Sequence, residues 1–274
     1  MTYARLPPER LYHVSEDGLD GGAGRALVAL GFPTALAAIA ILAVSGARLQ
    51  RGWAWTAAAG AAVLCATIGL PGVVDQADLD AKPANAAAGL GVLIALGLTG
   101  AAWAREGLGR PRSFDRLDAA RVCLAVVLAA VALPWIAAEL GFSLGGPFLG
   151  REPRPEPGDP GQIAVHLGRH HGMDGVLLAL AALALSRTVP LVRPRWLRWA
   201  LGFYVALMLV YGLANGLQDF WLEQLVKRHT TSLEIPSMIR PSISFAWAAI
   251  LRAALLIHLS ASRVQRVLPS KLGG

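Results

Sequence analysis

The sequence predicts an all-α fold, a polytopic membrane protein built as a bundle of seven transmembrane helices. Hydrophobic residues make up 55% of the 274 residues and charged residues only 16%, and the mean hydropathy is +0.50. Soluble domains carry roughly a quarter charged residues, so the composition excludes an ordinary soluble domain. Apolar windows close to the length that crosses a bilayer, about 20 residues, occur seven times along the chain.

The seven windows divide the chain into a transmembrane domain over residues 26–262, a preceding tail over 1–25 and a following tail over 263–274. The windows are 26–45, 53–72, 86–104, 119–139, 167–186, 199–219 and 241–262. Each is long enough to cross the hydrocarbon core of a bilayer as a helix. The sequence therefore predicts a multi-pass protein of the cell membrane.

A Pro/Gly-rich segment over 140–162 separates the fourth and fifth windows. Such a composition favours an extended, poorly packed loop. Its last four residues, Asp159-Pro160-Gly161-Gln162, resemble a helix start, because Asp is a common N-cap and Pro is favoured at the first helical position. The fifth helix is therefore predicted to begin near residue 160.

The distribution of basic residues predicts the orientation of the bundle. When Arg121 and Arg169, near the window ends, are counted with the adjoining segments, one set of alternating segments carries fourteen Lys and Arg residues, mostly in short loops, and the other set carries ten. The positive-inside rule assigns the richer set to the cytoplasm, which places the N-terminus outside and the C-terminus inside the cell. The net charge of +7 then reflects topology. It does not indicate nucleic acid, because the basic residues form no single patch.

Polar and ionisable side chains lie at matched heights in several windows. A helix rises 1.5 Å per residue, so His170, Asn215 and Glu139 lie about 24–27 Å above the arginines that mark the inner boundary. Asp174 and Arg252 lie about 17–20 Å above it. Ionisable groups at such depth normally face the bundle interior or a water-filled cavity. These heights predict one shared polar site in the outer half of the membrane.

A histidine cluster supplies candidate metal ligands for this site. His166, His170 and His171 form the string H-x-x-x-H-H, and Asp174 follows. On a continuous helix His166, His170 and Asp174 would fall within an arc of about 80°. Histidines four residues apart on a helix can chelate one metal ion, and imidazole with carboxylate suits zinc or iron. We therefore predict a divalent-metal site with these four residues as candidate ligands. His166 and Asp174 are about 12 Å apart along a straight helix, so one ion would be bound by His166 with His170, or by His170 with Asp174, and the shell would be completed by Glu139, Asp219 or Glu223.

The H-x-x-x-H-H string is similar to one histidine box of the membrane fatty-acid desaturases and hydroxylases. The resemblance covers six residues and would imply two irons held by several boxes on the cytoplasmic side. The chain has six histidines in all, so the resemblance does not assign the family. The sequence shows no haem, nucleotide or retinal signature: His258 lies too low to pair with His170, and the seventh window has no lysine for a Schiff base.

Two small-residue motifs predict which helices pack together. Gly168 and Gly172 form a G-x-x-x-G in the fifth window, and Gly212 and Gly216 form another in the sixth. Such motifs allow close backbone approach between helices in lipid. The fifth and sixth helices are therefore expected to pack against each other.

The functional hypothesis that follows is a metal-dependent enzyme acting on a lipid-like or lipid-soluble substrate from the outer half of the bilayer. Glu139 or Asp219 would complete the metal shell or act as general base. Arg252 would pair with Asp174 or hold an anionic group of the substrate. Oligomeric state is not predicted.

Three other interpretations stay open. In a proton-coupled transporter or channel, Asp174, Arg252 and Glu139 would relay protons. In a non-catalytic subunit of a membrane complex, the glycine-rich faces would be contact surfaces. In a purely structural reading, the histidines form a solvated helix end, and Asp174 and Arg252 form an ion pair between helices.

Overall fold

A computed structural model describes most of the apolar part of the chain. The described residues are 18–70, 83–106, 114–139, 155–156, 159–163, 171–226, 230–236, 238 and 242–267. In this part of the chain seven α-helices are present: α1 (Gly18–Leu49), α2 (Gly52–Ala66), α3 (Pro83–Glu106), α4 (Arg116–Glu139), α5 (His171–Ser186), α6 (Arg195–Asp219) and α7 (Phe245–Val267). Each helix overlaps one of the predicted windows.

Five stretches of the described helices are long and apolar enough to cross a membrane. They are Gly31–Leu49, Gly52–Gly69, Ala86–Arg105, Arg195–Leu222 and Phe245–Arg263. The apolar stretch of α5, Asp174–Ser186, is shorter. The chain thus carries several membrane-compatible helices, as its composition predicts.

Large apolar side chains cover the outside of these helices. Leu93 and Leu96 on α3, Val126 on α4 and Leu256 on α7 are all exposed. An aqueous surface seldom carries apolar patches of this extent. The exposed faces of α3, α4 and α7 are therefore suited to contact with lipid.

A two-residue connection joins α1 to α2. Gln50 adopts a left-handed backbone conformation with φ of 50°, and its N–H donates to the carbonyl of Gly46 at 3.1 Å. This geometry ends α1, because a residue in the left-handed region after the last helical turn satisfies free carbonyls. Arg51 is then extended, and α2 starts at Gly52, so α1 and α2 are packed neighbours.

The helices form two packed groups. Small side chains build the first group, in which α1, α2 and α3 meet around residues such as Ala38, Ala58 and Ala95. In the second group α6 packs against α5 and α7, and α5 also contacts α1. Tyr204 of α6 links the groups by donating its hydroxyl hydrogen to the carbonyl of Leu36 in α1, at 2.8 Å.

The structure corrects the predicted start of the fifth helix. Residues 155–156 (β1) and 159–163 (β2) form a short antiparallel hairpin, and α5 begins at His171 instead of near residue 160. The physical reason is that residues 159–163 are extended and pair with residues 155–156. This pairing competes with helix initiation at Asp159.

The end of α6 continues into a π-helical segment, Phe220–Val226. The following loop contacts this segment at one point and the last turn of α6 at another. The indole N–H of Trp221 donates to the carbonyl of Leu233 at 2.7 Å, and the backbone N–H of Met238 donates to Oε1 of Gln218. Residues 230–236 and 238 therefore lie at the predicted outer end of α6.

Candidate intramembrane polar site

Glycines bring the backbones of α5 and α6 into contact. A Cβ built on Gly212 would lie 2.5 Å from the carbonyl oxygen of Gly175 and 2.8 Å from the amide nitrogen of Ala179. A Cβ on Gly175 would lie 2.6 Å from both the Gly212 oxygen and the Gly216 nitrogen. The predicted packing of these two helices is confirmed. Gly168 lies outside the described residues.

Polar side chains line the same helix pair. Asp174 lies on α5, and Tyr211, Asn215, Gln218 and Asp219 lie on α6, with exposed fractions between 1% and 7%. Their spacing of three to four residues places the α6 members on one face. Because polar groups inside a membrane are costly and usually functional, this cluster is the candidate site, and we call it the α5–α6 polar cluster.

The contacts within the cluster show which side chains hold the structure together and which can still bind a ligand. Gln218 accepts the hydrogen bond from Met238, which fixes the loop. The ring of Tyr211 lies 5.3 Å from that of Trp247 on α7, with the two planes 31° apart, and Asp174 is close enough to interact electrostatically with Tyr211. The buried Oδ1 of Asn215 accepts no hydrogen bond from any described residue. Asn215 can therefore accept a hydrogen bond from a ligand or water.

The structure brings together only some of the residues that the sequence predicts for the site. Asp174 and Asp219 are both buried on the α5–α6 pair. Arg252 is exposed on α7, so it lies outside this buried cluster. The burial of Gln218 and its role in holding the loop came from the structure alone. The available sequence signal was a polar residue three positions after Asn215 and next to Asp219.

The remaining predicted residues lie at or beyond the ends of described helices. His171 is the first residue of α5 and Glu139 the last of α4, and the structure does not describe their side chains. His166 and His170 lie outside the described residues. The structure therefore does not test the helical spacing assumed for His166 and His170.

Among the residues that the structure describes, no group of three or more His, Cys, Asp or Glu side chains is placed to hold a metal ion. Asp174 and Asp219 supply carboxylates on neighbouring helices. Imidazole ligands would have to come from His171, at the start of α5, or from the segment before it. The metal-binding hypothesis thus depends on His166, His170 and His171.

An ion-pair cluster that the sequence analysis missed lies where α4 begins and α5 ends. The buried Asp118 carboxylate contacts Nη1 of Arg121 at 2.8 Å and Nε of Arg187 at 3.1 Å. Nε of Arg121 also donates to Oγ of Ser186, at 2.8 Å. From the sequence, these arginines were interpreted only as signals of membrane topology. In the structure their contacts hold α4 and α5 together.

Asp118 also takes part in the cap of α4. The backbone N–H of Asp118 donates to Oδ1 of Asp115 at 2.8 Å, and the N–H of Asp115 donates to Oδ2 of Asp118 at 3.3 Å. This reciprocal pattern is a capping box, here with Asp in both positions. The sequence signal was present as Asp-x-x-Asp directly before an apolar run.

Comparison with known proteins does not add an identity. The chain matches no protein-family model, no curated protein and no solved structure.

Proposed function

We propose that the chain is an integral membrane protein with seven spans, its N-terminus outside and its C-terminus in the cytoplasm. Seven described helices coincide with the seven apolar windows, and five of them have stretches suited to spanning. The excess of basic residues in alternating segments supports the orientation. In this arrangement α4 and α5 are the other two spans, and α5 carries Asp174 of the α5–α6 polar cluster.

The orientation can be tested by labelling single cysteines in intact cells, in a chain from which Cys65 and Cys123 have been replaced. We expect a cysteine at Gly22 to react with a membrane-impermeant maleimide, and a cysteine at Gly273 to react only after the cells are permeabilised. The reverse pattern would overturn the orientation. Labelling of both positions in intact cells would show that both termini lie outside, which contradicts an odd number of spans.

We further propose that the α5–α6 polar cluster is the centre of a metal-dependent enzyme acting on a lipid-like or lipid-soluble substrate. The observation that supports this proposal is the burial of two carboxylates, Asp174 and Asp219, on a glycine-lined helix pair. Zinc or iron would be bound by these carboxylates together with His166, His170 or His171. A metal-bound water has a lowered pKa and can serve as nucleophile. Glu139, at the end of α4, is the candidate general base.

Metal analysis of the purified full-length protein tests the enzyme proposal. We expect stoichiometric zinc or iron in the wild-type protein and a clear loss of metal in Asp174→Asn, Asp219→Asn and His170→Ala. Glu234→Gln is the control, because Glu234 is exposed in the loop after α6 and is no proposed ligand. A wild-type protein that binds no stoichiometric zinc or iron would contradict the proposal.

The same buried carboxylates favour a second candidate, a proton-coupled transporter. Carboxylates in membrane helices form proton relays in pumps and transporters, and this role needs no histidine ligand. Proton uptake into liposomes under an imposed pH gradient separates the two candidates. A proton flux that is abolished by Asp174→Asn and retained in His170→Ala would favour the transporter over the metal-dependent enzyme.

A further inference from the structure

A cavity of about 630 Å³ lies between α4, α5, α6 and α7. It is at the end of the bundle opposite the α5–α6 polar cluster, because it includes Ser186 at the end of α5. Asp174 precedes Ser186 by twelve residues, or about 18 Å along the helix. The volume of the cavity falls in the range of small-molecule sites, about 300–1,000 Å³. We call this space the basal cavity.

The lining of the basal cavity changes from basic to apolar along its length. Arg121, Arg195 and Arg198 line it at the helix ends, whereas Val205 and Leu209 line it farther along α6. From Arg195 to Leu209 the helix rises about 21 Å, a large part of the hydrocarbon core of about 30 Å. The cavity therefore matches an amphiphile that has an anionic head and a long apolar tail.

The arginines at the mouth are held in different ways. Nε of Arg198 donates to the carbonyl of Val192 at 2.9 Å, and Nη2 donates to the carbonyl of Arg193 at 3.1 Å, so its guanidinium is fixed beside the loop before α6. Arg121 is held by Asp118 and Ser186. Arg195 is exposed. No carboxylate lines the cavity in the described part of the chain, so the charge at its mouth is positive.

His258 of α7 forms part of the cavity wall. The residue is 5% exposed, and its Nε2 makes no hydrogen bond with any described residue. Its ring packs edge-on against Trp199, with centroids 5.0 Å apart, and is hydrogen-bonded to the backbone of Gly202. Gly202 is required for this placement, since a Cβ there would lie 2.9 Å from Nδ1 of His258. The His258 ring is thus held in a fixed position in the wall, between Trp199 and Gly202.

From these observations we infer that the basal cavity binds an anionic phospholipid of the surrounding bilayer. The phosphate lies at the arginine mouth, and one acyl chain follows the apolar wall toward Leu209. Basic pockets between membrane helices bind anionic head groups in this way, and the apolar wall suits an acyl chain. This inference goes beyond the proposed function, because the cavity and the polar cluster share no residue.

Fluorescence quenching tests the inference, because Trp199 lines the cavity. The purified full-length protein in detergent is titrated with brominated phosphatidylglycerol and, separately, with brominated phosphatidylcholine. We expect saturable quenching by phosphatidylglycerol at lower concentration, and loss of this component in Trp199→Phe. Arg195→Gln should weaken the binding of phosphatidylglycerol about fivefold, the effect of one surface charge on an anionic lipid.

Matched variants provide the controls. Arg193→Gln removes the same charge from an exposed loop position outside the cavity lining, and should leave binding unchanged. Ala120→Trp should block the cavity, whereas Ala129→Trp, also exposed on α4, should not. Equal binding of the two phospholipids, or equal loss in Arg193→Gln and Arg195→Gln, would overturn the inference. Tighter binding of a brominated fatty acid than of phosphatidylglycerol would overturn the assignment to a phospholipid.

Discussion

Replacing Gly212 with alanine should lower the free energy of unfolding by about 3 kcal/mol, at the upper end of the cost of overpacking a protein interior. The added methyl group would lie 2.5 Å from the Gly175 carbonyl oxygen and 2.8 Å from the Ala179 amide nitrogen. Both are backbone atoms of α5, so no flexible side chain can move aside. The helices would have to separate, which would also loosen the polar side chains beside Gly212.

Gly97→Ala is the matched control for this prediction. Gly97 also lies inside a helix, α3, but nothing stands within 4 Å of a Cβ built there. Alanine is the better helix former, by about 1 kcal/mol in a helix interior, so this variant should be neutral or slightly more stable. Unfolding of both variants can be followed in mixed detergent–SDS micelles. Equal stability of Gly212→Ala and the wild type would show that α5 and α6 do not pack as described.

Replacing Asp118 with alanine should be the second most damaging change, with a loss of about 2 kcal/mol. Removing one partner of a fully buried ion pair costs roughly 3–5 kcal/mol. The Arg121 and Arg187 side chains, however, are 25% and 40% exposed, and solvent therefore compensates part of the loss. The variant also removes half of the capping box at the start of α4. Because α4 is anchored to α5 here, the basal cavity should widen.

Glu234→Ala controls for the removal of a carboxylate, since Glu234 is exposed. It should change the stability in the same micelles by less than about 0.5 kcal/mol. Raised salt offers a further check, because screening acts mainly on exposed charges. Wild-type stability should fall only slightly at high salt if the Asp118 contacts are as buried as described. A stability of Asp118→Ala equal to that of Glu234→Ala would rule out the anchoring role.

Helix positions were predictable because crossing lipid requires a long apolar stretch with its backbone groups paired internally. The window at 53–72 corresponds to α2 at Gly52–Ala66 with a following 3₁₀ turn, Thr67–Gly69. The prediction failed at the start of α5, where a local capping pattern at Asp159 pointed to a helix. A capping pattern involves only four residues, and the hairpin pairing of residues 155–163 prevailed over it.

The candidate site was predictable in part for the same reason. Glycine spacing in α6 indicated the face that meets α5, and the carboxylates at Asp174 and Asp219 were recognisable as costly groups. Sequence spacing did not reveal that Gly175 completes the contact, that Gln218 holds a loop, or that Arg252 is exposed. Each of these depends on the rotation of a helix about its axis relative to its neighbours.

By itself the sequence determined that the chain forms membrane-compatible helices, where most of them lie, and that α5 and α6 would approach closely. Only the tertiary structure decided which polar groups meet: the α5–α6 polar cluster, the Asp118 ion pairs and the basal cavity around His258. The physical reason is that lipid and protein interior are both apolar. Helices that are hydrophobic on every side carry little periodic signal to show which face is buried, so that choice is made by side-chain packing between helices.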